Sequence, residues 1–226
     1  MIEIRIDDCF AAAGLSVALG CVQARVTVAP APASVTAALD AEVVRAAALL
    51  AERPVAELPA VAAGRAAYRI LGKDPTRYRL ASEALLRRAA QGKGKGLVSV
   101  NNVVDLNNLV SLHTGLPVGS ARVEALHPPL VFRVGTEGEC YEGIGRGEIN
   151  LRALPLLADR EGPFGSPTSD SRRAMISEDT RTVLLVIYGL GGEEGLLRAT
   201  HFAAHALSAH CGVEEPETWI VSTAGV

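Results

Sequence analysis

The spacing of apolar residues changes part-way along the chain, and that change restricts the fold more than any single motif. Over residues 34–92 apolar side chains recur at helical spacing, whereas from residue 130 onward they fall in short runs punctuated by glycine. In "SVTAALDAEVVRAAALLAERP", Leu39, Val43, Ala46 and Leu50 share one helical face, and Pro54 ends the run. A second helix is predicted over "LPAVAAGRAAYRILG". A third lies within "RYRLASEALLRRAAQGKGKG", with Ser82 as its cap and Gly92 as its stop. Two strands precede this block, one in the alternating "MIEIRI" and one in the β-rich residues 15–29, before the breaker "PAPAS". After it come "PLVFRVG", "ECYEGIG", "EINL" and "PLLAD" as strands, then a polar loop, "REGPFGSPTSDSRRAMISEDT". The apolar strand "RTVLLVIYGL" and a last helix closed by Gly212 complete the order. Strands and helices are segregated rather than alternating, so the expected class is α+β, a mostly antiparallel sheet flanked by helices.

Composition narrows the function classes. A formal net charge of -3 and a pI near 6.0 argue against bulk nucleic-acid binding through an overall basic field. No apolar run has membrane-spanning length, and acidic residues stand where a signal peptide needs an apolar stretch. Cys9, Cys21, Cys140 and Cys211 are scattered without a C-x-x-C pair, which fits unpaired thiols in a reducing cytoplasm. No convincing linker or internal repeat divides the 226 residues, so one domain is expected.

Between the helical and strand-rich blocks lies "SVNNVVDLNNLVSLHTGLPVG". Asn101, Asp105 and Asn108 fall on one stripe of this helix, Val103, Leu106, Leu109 and Val110 occupy its broad apolar side, and Asn102 and His113 project within that side. A helix apolar around most of its girth is buried, so its polar groups must bond to neighbouring backbone or to a ligand. Two further stretches carry candidate chemistry. In "YEGIGRGEIN", Gly145 and Arg146 sit among glycines that mark tight turns or the close approach of a ligand, with Glu148 nearby. In "GPFGSPTSDS", Thr168, Ser169, Asp170 and Ser171 fit either the capping of the next element or the positioning of a water or ribose hydroxyl. His201, His205, His210 and Cys211 have zinc-like spacing but lack the glutamate of H-E-x-x-H, and no metal is expected. There is no G-x-S-x-G elbow, Cys–His signature or paired-carboxylate site, which argues against a covalent nucleophile.

"NNVVDLNNLVSLHTGLPV" strongly resembles the motif of the B3/B4 module in the bacterial phenylalanyl-tRNA synthetase β subunit, approximately N-N-V-V-D-x-x-N-x-x-x-x-x-x-G-x-P. Asn101, Asn102, Val103, Val104, Asp105, Asn108, Gly115 and Pro117 match it. "GRGEINL", "PLLADREGPFGSPTSDS" and "SEDTRTVLLVIYG" are similar more loosely to its later strands and loop. The resemblance covers residues 61–190, extends to free-standing B3/B4-domain proteins, and leaves residues 1–60 to pack onto that module. In the synthetase the module hydrolyses tyrosine mischarged onto the phenylalanine tRNA. The resemblance therefore implies a tRNA-binding, editing-type hydrolase in which an aligned water cleaves the aminoacyl ester without cofactor. On that reading Asn101, Glu148, Thr168 and His113 are catalytic candidates. Asn102, Asp105, Asn108, Gly145, Arg146, Ser169, Asp170 and Ser171 would bind substrate, and Arg87, Arg88, Lys93 and Lys95 would contact the RNA. The motif departs from the family at Gly119, which stands where the synthetase carries an editing-site histidine, and in lacking G-V-M-G-G. His113 is a substitute only if it is not the packed core histidine its position suggests. Two alternatives remain open: a non-catalytic binding module for an amino acid or related metabolite, and a deacylase of a small amino-acid conjugate. Neither membrane nor DNA is an expected partner.

Overall fold

The computed structural model describes residues 1–92 and 97–223. The strongest apolar run in the chain organises the rest. Strand β9 (Thr182–Gly189) sends Val183, Leu185 and Ile187 to one face and Leu184, Val186 and Tyr188 to the other, and all six are buried. It lies inside a four-stranded antiparallel sheet of order β10-β2-β9-β3, where β2 is Ala18–Arg25, β3 is Val118–Arg122 and β10 is Glu217–Ser222. Helices α5 (Asn102–Thr114) and α6 (Leu196–Cys211) cover one face. There Val103, Leu106, Val110, Ala199, Ala203 and Leu207 pack on Val22, Leu185 and Ile187. The other face meets a second sheet of order β1-β4-β7-β8, in which β1 (Ile4–Ile6) runs parallel to β4 (Leu130–Val134). Strands β7 (Pro155–Asp159) and β8 (Gly162–Gly165) complete it antiparallel. Phe132 joins the two sheets, stacked on Phe10 at 4.7 Å and tilted against Tyr188 at 5.7 Å.

The helical block is as the spacing predicts: α2 (Ala33–Glu52), α3 (Pro59–Ile70) and α4 (Ala81–Gln91), with Leu39 and Ala46 buried and Val43 and Leu50 partly so. A separate hairpin pairs β5 (Cys140–Gly143) with β6 (Gly147–Asn150). The architecture is thus α+β, with mostly antiparallel sheets flanked by helices.

Four local expectations change. Leu80, not Ser82, occupies the α4 N-cap. Ser82 is buried inside the helix, and the amide of Ala81 is satisfied instead by the Pro167 carbonyl. A four-residue helix, α1 (Cys9–Ala12), follows the first strand. The "VGSAR" and "GPFG" segments form β3 and β8, because they pair with the apolar strands β9 and β7. Finally, α6 is not the last element: the chain returns as β10 along the outer edge of β2.

Candidate active site

Most of the buried polar groups at the start of α5 bond to the backbone around them. Asn101, in extended conformation, caps the helix by accepting from the Val104 amide at 2.9 Å. Asn102 is buried and holds the β2–α2 connection, accepting from Ala29 N at 3.1 Å and donating to the Thr27 carbonyl at 2.9 Å. Asp105, 1% exposed, accepts from the Ser99 hydroxyl and the Val100 amide. Asn107 donates to the Val118 carbonyl at 3.2 Å, while its Oδ1 is buried without a partner. Asn108 is half-buried. Gly115, at φ 72°, ends the helix in the left-handed conformation that favours glycine.

The "SPTSDS" loop closes a buried hydroxyl cluster rather than an open surface. The Thr168 and Tyr68 hydroxyls meet at 2.9 Å, and Tyr141 OH donates to Ser166 Oγ and the Ser169 carbonyl. Asp170 Oδ2 accepts from the Ser120 amide at 3.0 Å. Burial pushes the Asp170 carboxyl up to about 7, against the opposing pull of the Ser120 and Ser166 amides. Ser171 is buried and accepts from the Arg173 amide at the next turn. Gly145, at φ 67°, Arg146 and Glu148 are exposed on the neighbouring β5–β6 hairpin, whose Ile144 amide donates to the Asp170 carbonyl at 3.1 Å; there Glu148 faces Cys140 and raises its thiol pKa.

A different place on the surface opens into a cleft of about 580 Å³. Its walls are α2, the start of α3, the C-terminal turn of α5, the glycine-rich turn after β9, and the first turns of α6. One sequence-derived candidate lines it. His113 has 44% of its side chain exposed and is not a packed core residue; it stacks on Phe202 with centroids 4.1 Å apart. Its Nδ1 lies 2.8 Å from Glu42 Oε1. A carboxylate can only accept, so Nδ1 carries the proton and Nε2 is the basic nitrogen. Burial alone would raise the Glu42 carboxyl, but hydrogen bonds from His113 and Arg45 outweigh it and hold Glu42 below its ordinary value. Arg45 also donates to the Leu112 and His113 carbonyls, so it fixes the end of α5 that carries His113. Glu194 and Arg198 stand at the rim. Glu42, Arg45, Glu194, Arg198 and Phe202 were beyond sequence reasoning, because they converge from segments up to 160 positions apart. Their one local sign is the "GLGGEEG" turn.

The B3/4 domain family model matches residues 63–208. The chain belongs to the B3/4 domain family. Its similarity to curated proteins lies with phenylalanine–tRNA ligase β subunits. It is 32% identical to that of Protochlamydia amoebophila over 93 residues and 31% identical to that of Pectobacterium atrosepticum over 97 residues. Each match takes in 40% of this chain and 12% of the relative. In fold it is similar to an N-terminal fragment of the phenylalanyl-tRNA synthetase β-subunit from Pyrococcus horikoshii. The TM-score is 0.51 at 13% identity, covering 97% of this chain and 50% of that one.

Within this B3/4 fold, a side chain at position 119 would require its neighbours to move. A Cβ on Gly119 would come 2.8 Å from Asp170 Oδ1 and 3.1 Å from Tyr188 OH, so those two groups fill the space a larger residue would need. The basic residues are also partly committed. Arg65 and Arg87 both bind the buried Glu83 carboxylate, and Lys73 donates to the carbonyls of Asn150 and Arg152. Arg69, Arg77, Arg79 and Arg88 are exposed, while Lys93 and Lys95 lie outside the described residues. His201 and His205 are exposed on α6, and His210 contacts Ser34. Among the described residues no three metal-ligating side chains cluster. No helix among them is long and apolar enough to cross a membrane.

Proposed function

We propose that this B3/4 protein is an aminoacyl-tRNA deacylase whose reaction takes place in the cleft at His113. The observation that carries this reading is the His113–Glu42 pair, a half-exposed imidazole held by a carboxylate at 2.8 Å on the wall of a ligand-sized cavity. Kinship with phenylalanine–tRNA ligase β subunits supports the tRNA part of the proposal. An aminoacyl ester is already activated, so a positioned base and a water suffice. Nε2 of His113 takes a proton from water as its oxygen attacks the ester carbonyl. The resulting imidazolium returns a proton to the departing ribose oxygen, releasing free amino acid and uncharged tRNA. Glu42 keeps the imidazole in the reactive tautomer and stabilises its charged form. Arg198 at the rim suits the terminal phosphates, and the exposed Arg69, Arg77, Arg79 and Arg88 supply cations for the rest of the RNA.

The test is deacylation of a panel of mischarged tRNAs. His113→Asn should lower the rate by roughly 10²-fold, the usual worth of a positioned base, with the melting temperature nearly unchanged. Glu42→Gln should leave a weaker defect of roughly tenfold. Turnover by wild type that is equal in His113→Asn would reject the cleft as the reaction site. No turnover of any tRNA ester, together with retained binding of free amino acids, would favour a binding module instead.

A further inference from the structure

The cleft is apolar at its floor and charged at its rim, and the two halves select for different parts of a ligand. Leu49, Leu58, Leu86, Leu112 and Leu190 make the floor, which offers a polar side chain nothing to bond with. Burying a hydroxyl or carboxylate there would cost its hydration without replacement. At the rim, Glu194 is exposed, and among the described residues it forms no ion pair, not even with Arg198 four positions on. The other acid near the cleft, Glu42, is already shared by His113 and Arg45. Among the described residues Glu194 is therefore the one carboxylate lining the cavity that is open to a cationic group. Its place beside the glycine turn is structurally constrained. A Cβ at Gly191 would come 2.9 Å from Ala63 Cβ, so this segment lies against α3.

We propose that the cleft selects an α-aminoacyl group with an apolar side chain and a free amino group. The side chain lies on the leucine floor, and the ammonium is held by Glu194. This rests on the deacylase reading for the ester itself, but it adds the substrate class and a specificity-determining residue. Two consequences follow from the chemistry. Leucyl or phenylalanyl esters are favoured over seryl or aspartyl esters, and acetylation of the amine removes the charge that Glu194 recognises.

The experiment compares leucyl-, phenylalanyl-, seryl- and aspartyl-tRNA with N-acetyl-leucyl-tRNA as substrates. In parallel, it measures binding of the non-cleavable amides 3′-leucylamino- and N-acetyl-leucylamino-3′-deoxyadenosine by calorimetry. Wild type should prefer the free-amine form in both assays. Glu194→Gln should reduce that preference by roughly fivefold, the scale of one partly exposed charge pair. Equal handling of free and acetylated amines, or preference for the seryl ester, overturns the inference even if esters are cleaved. Amine-selective binding of the leucyl amide with no cleavage of any ester supports the inference and overturns the deacylase reading.

Discussion

Asp170 shows at the scale of one residue how far the sequence can be read. Its loop, crowded with Ser, Thr and Asp, offers capping or ligand positioning as equal readings, and nothing local chooses between them. The choice is made by residues 50 positions away: the Ser120 amide bonds the carboxylate, and Gly119 leaves the space that Asp170 and Tyr188 fill. Enclosure there raises the pKa to about 7 from an ordinary carboxylate value, so the folded protein binds the proton more tightly than the unfolded chain does. The sign is fixed by that inequality. This group favours folding most when both states are protonated, below pH ~4, and its contribution is lost as pH rises toward 7. Asp170→Asn removes the titration. The difference in unfolding free energy between wild type and variant should therefore drift, against wild type, between pH 4 and pH 7. Parallel stability curves across that window would show that the carboxylate is not enclosed in solution.

At the scale of an element, α5 was legible in its position and opaque in its purpose. Its motif and periodicity mark a buried helix with a polar stripe, but the partners of Asn102 are Thr27 and Ala29, more than 70 positions earlier, and cannot be inferred from spacing. Strand β3 was illegible for the opposite reason: "VGSAR" has the composition of a loop and becomes a strand by pairing with β9. The hydrogen bonds of α5 predict a graded response. Asn101→Ala removes an N-cap and should cost about 1 kcal/mol. Asn102→Ala strands an amide and a carbonyl in a buried connection and should cost more, roughly 1–3 kcal/mol. Urea denaturation separates the two. A larger loss from Asn101→Ala would mean that the β2–α2 connection finds other partners.

For the whole molecule, the segregation of helical and strand periods carried the class correctly, because burial sets the period of every long element whatever its neighbours. The cleft was not legible, since it is made where five helices and a turn meet. The same interdependence bears on how the chain folds. Residues 1–60 are not an appendage: β2 lies between β10 and β9, β1 pairs with β4, and α2 walls the cleft. β9 places side chains in both cores, so neither layer can open without exposing the other. The expected consequence is one cooperative unfolding transition. Trp219, the only tryptophan, sits on β10 and reports the edge of one sheet, while far-ultraviolet circular dichroism is dominated by the helices. The two signals should give coincident midpoints. A chain beginning at residue 61 would lack the strand that joins β10 to β9 and should show no cooperative transition at all. Separate midpoints in the full chain, or a sharp transition in the shortened one, would mean that the family-matched region from residue 63 to 208 stands without the N-terminal strands.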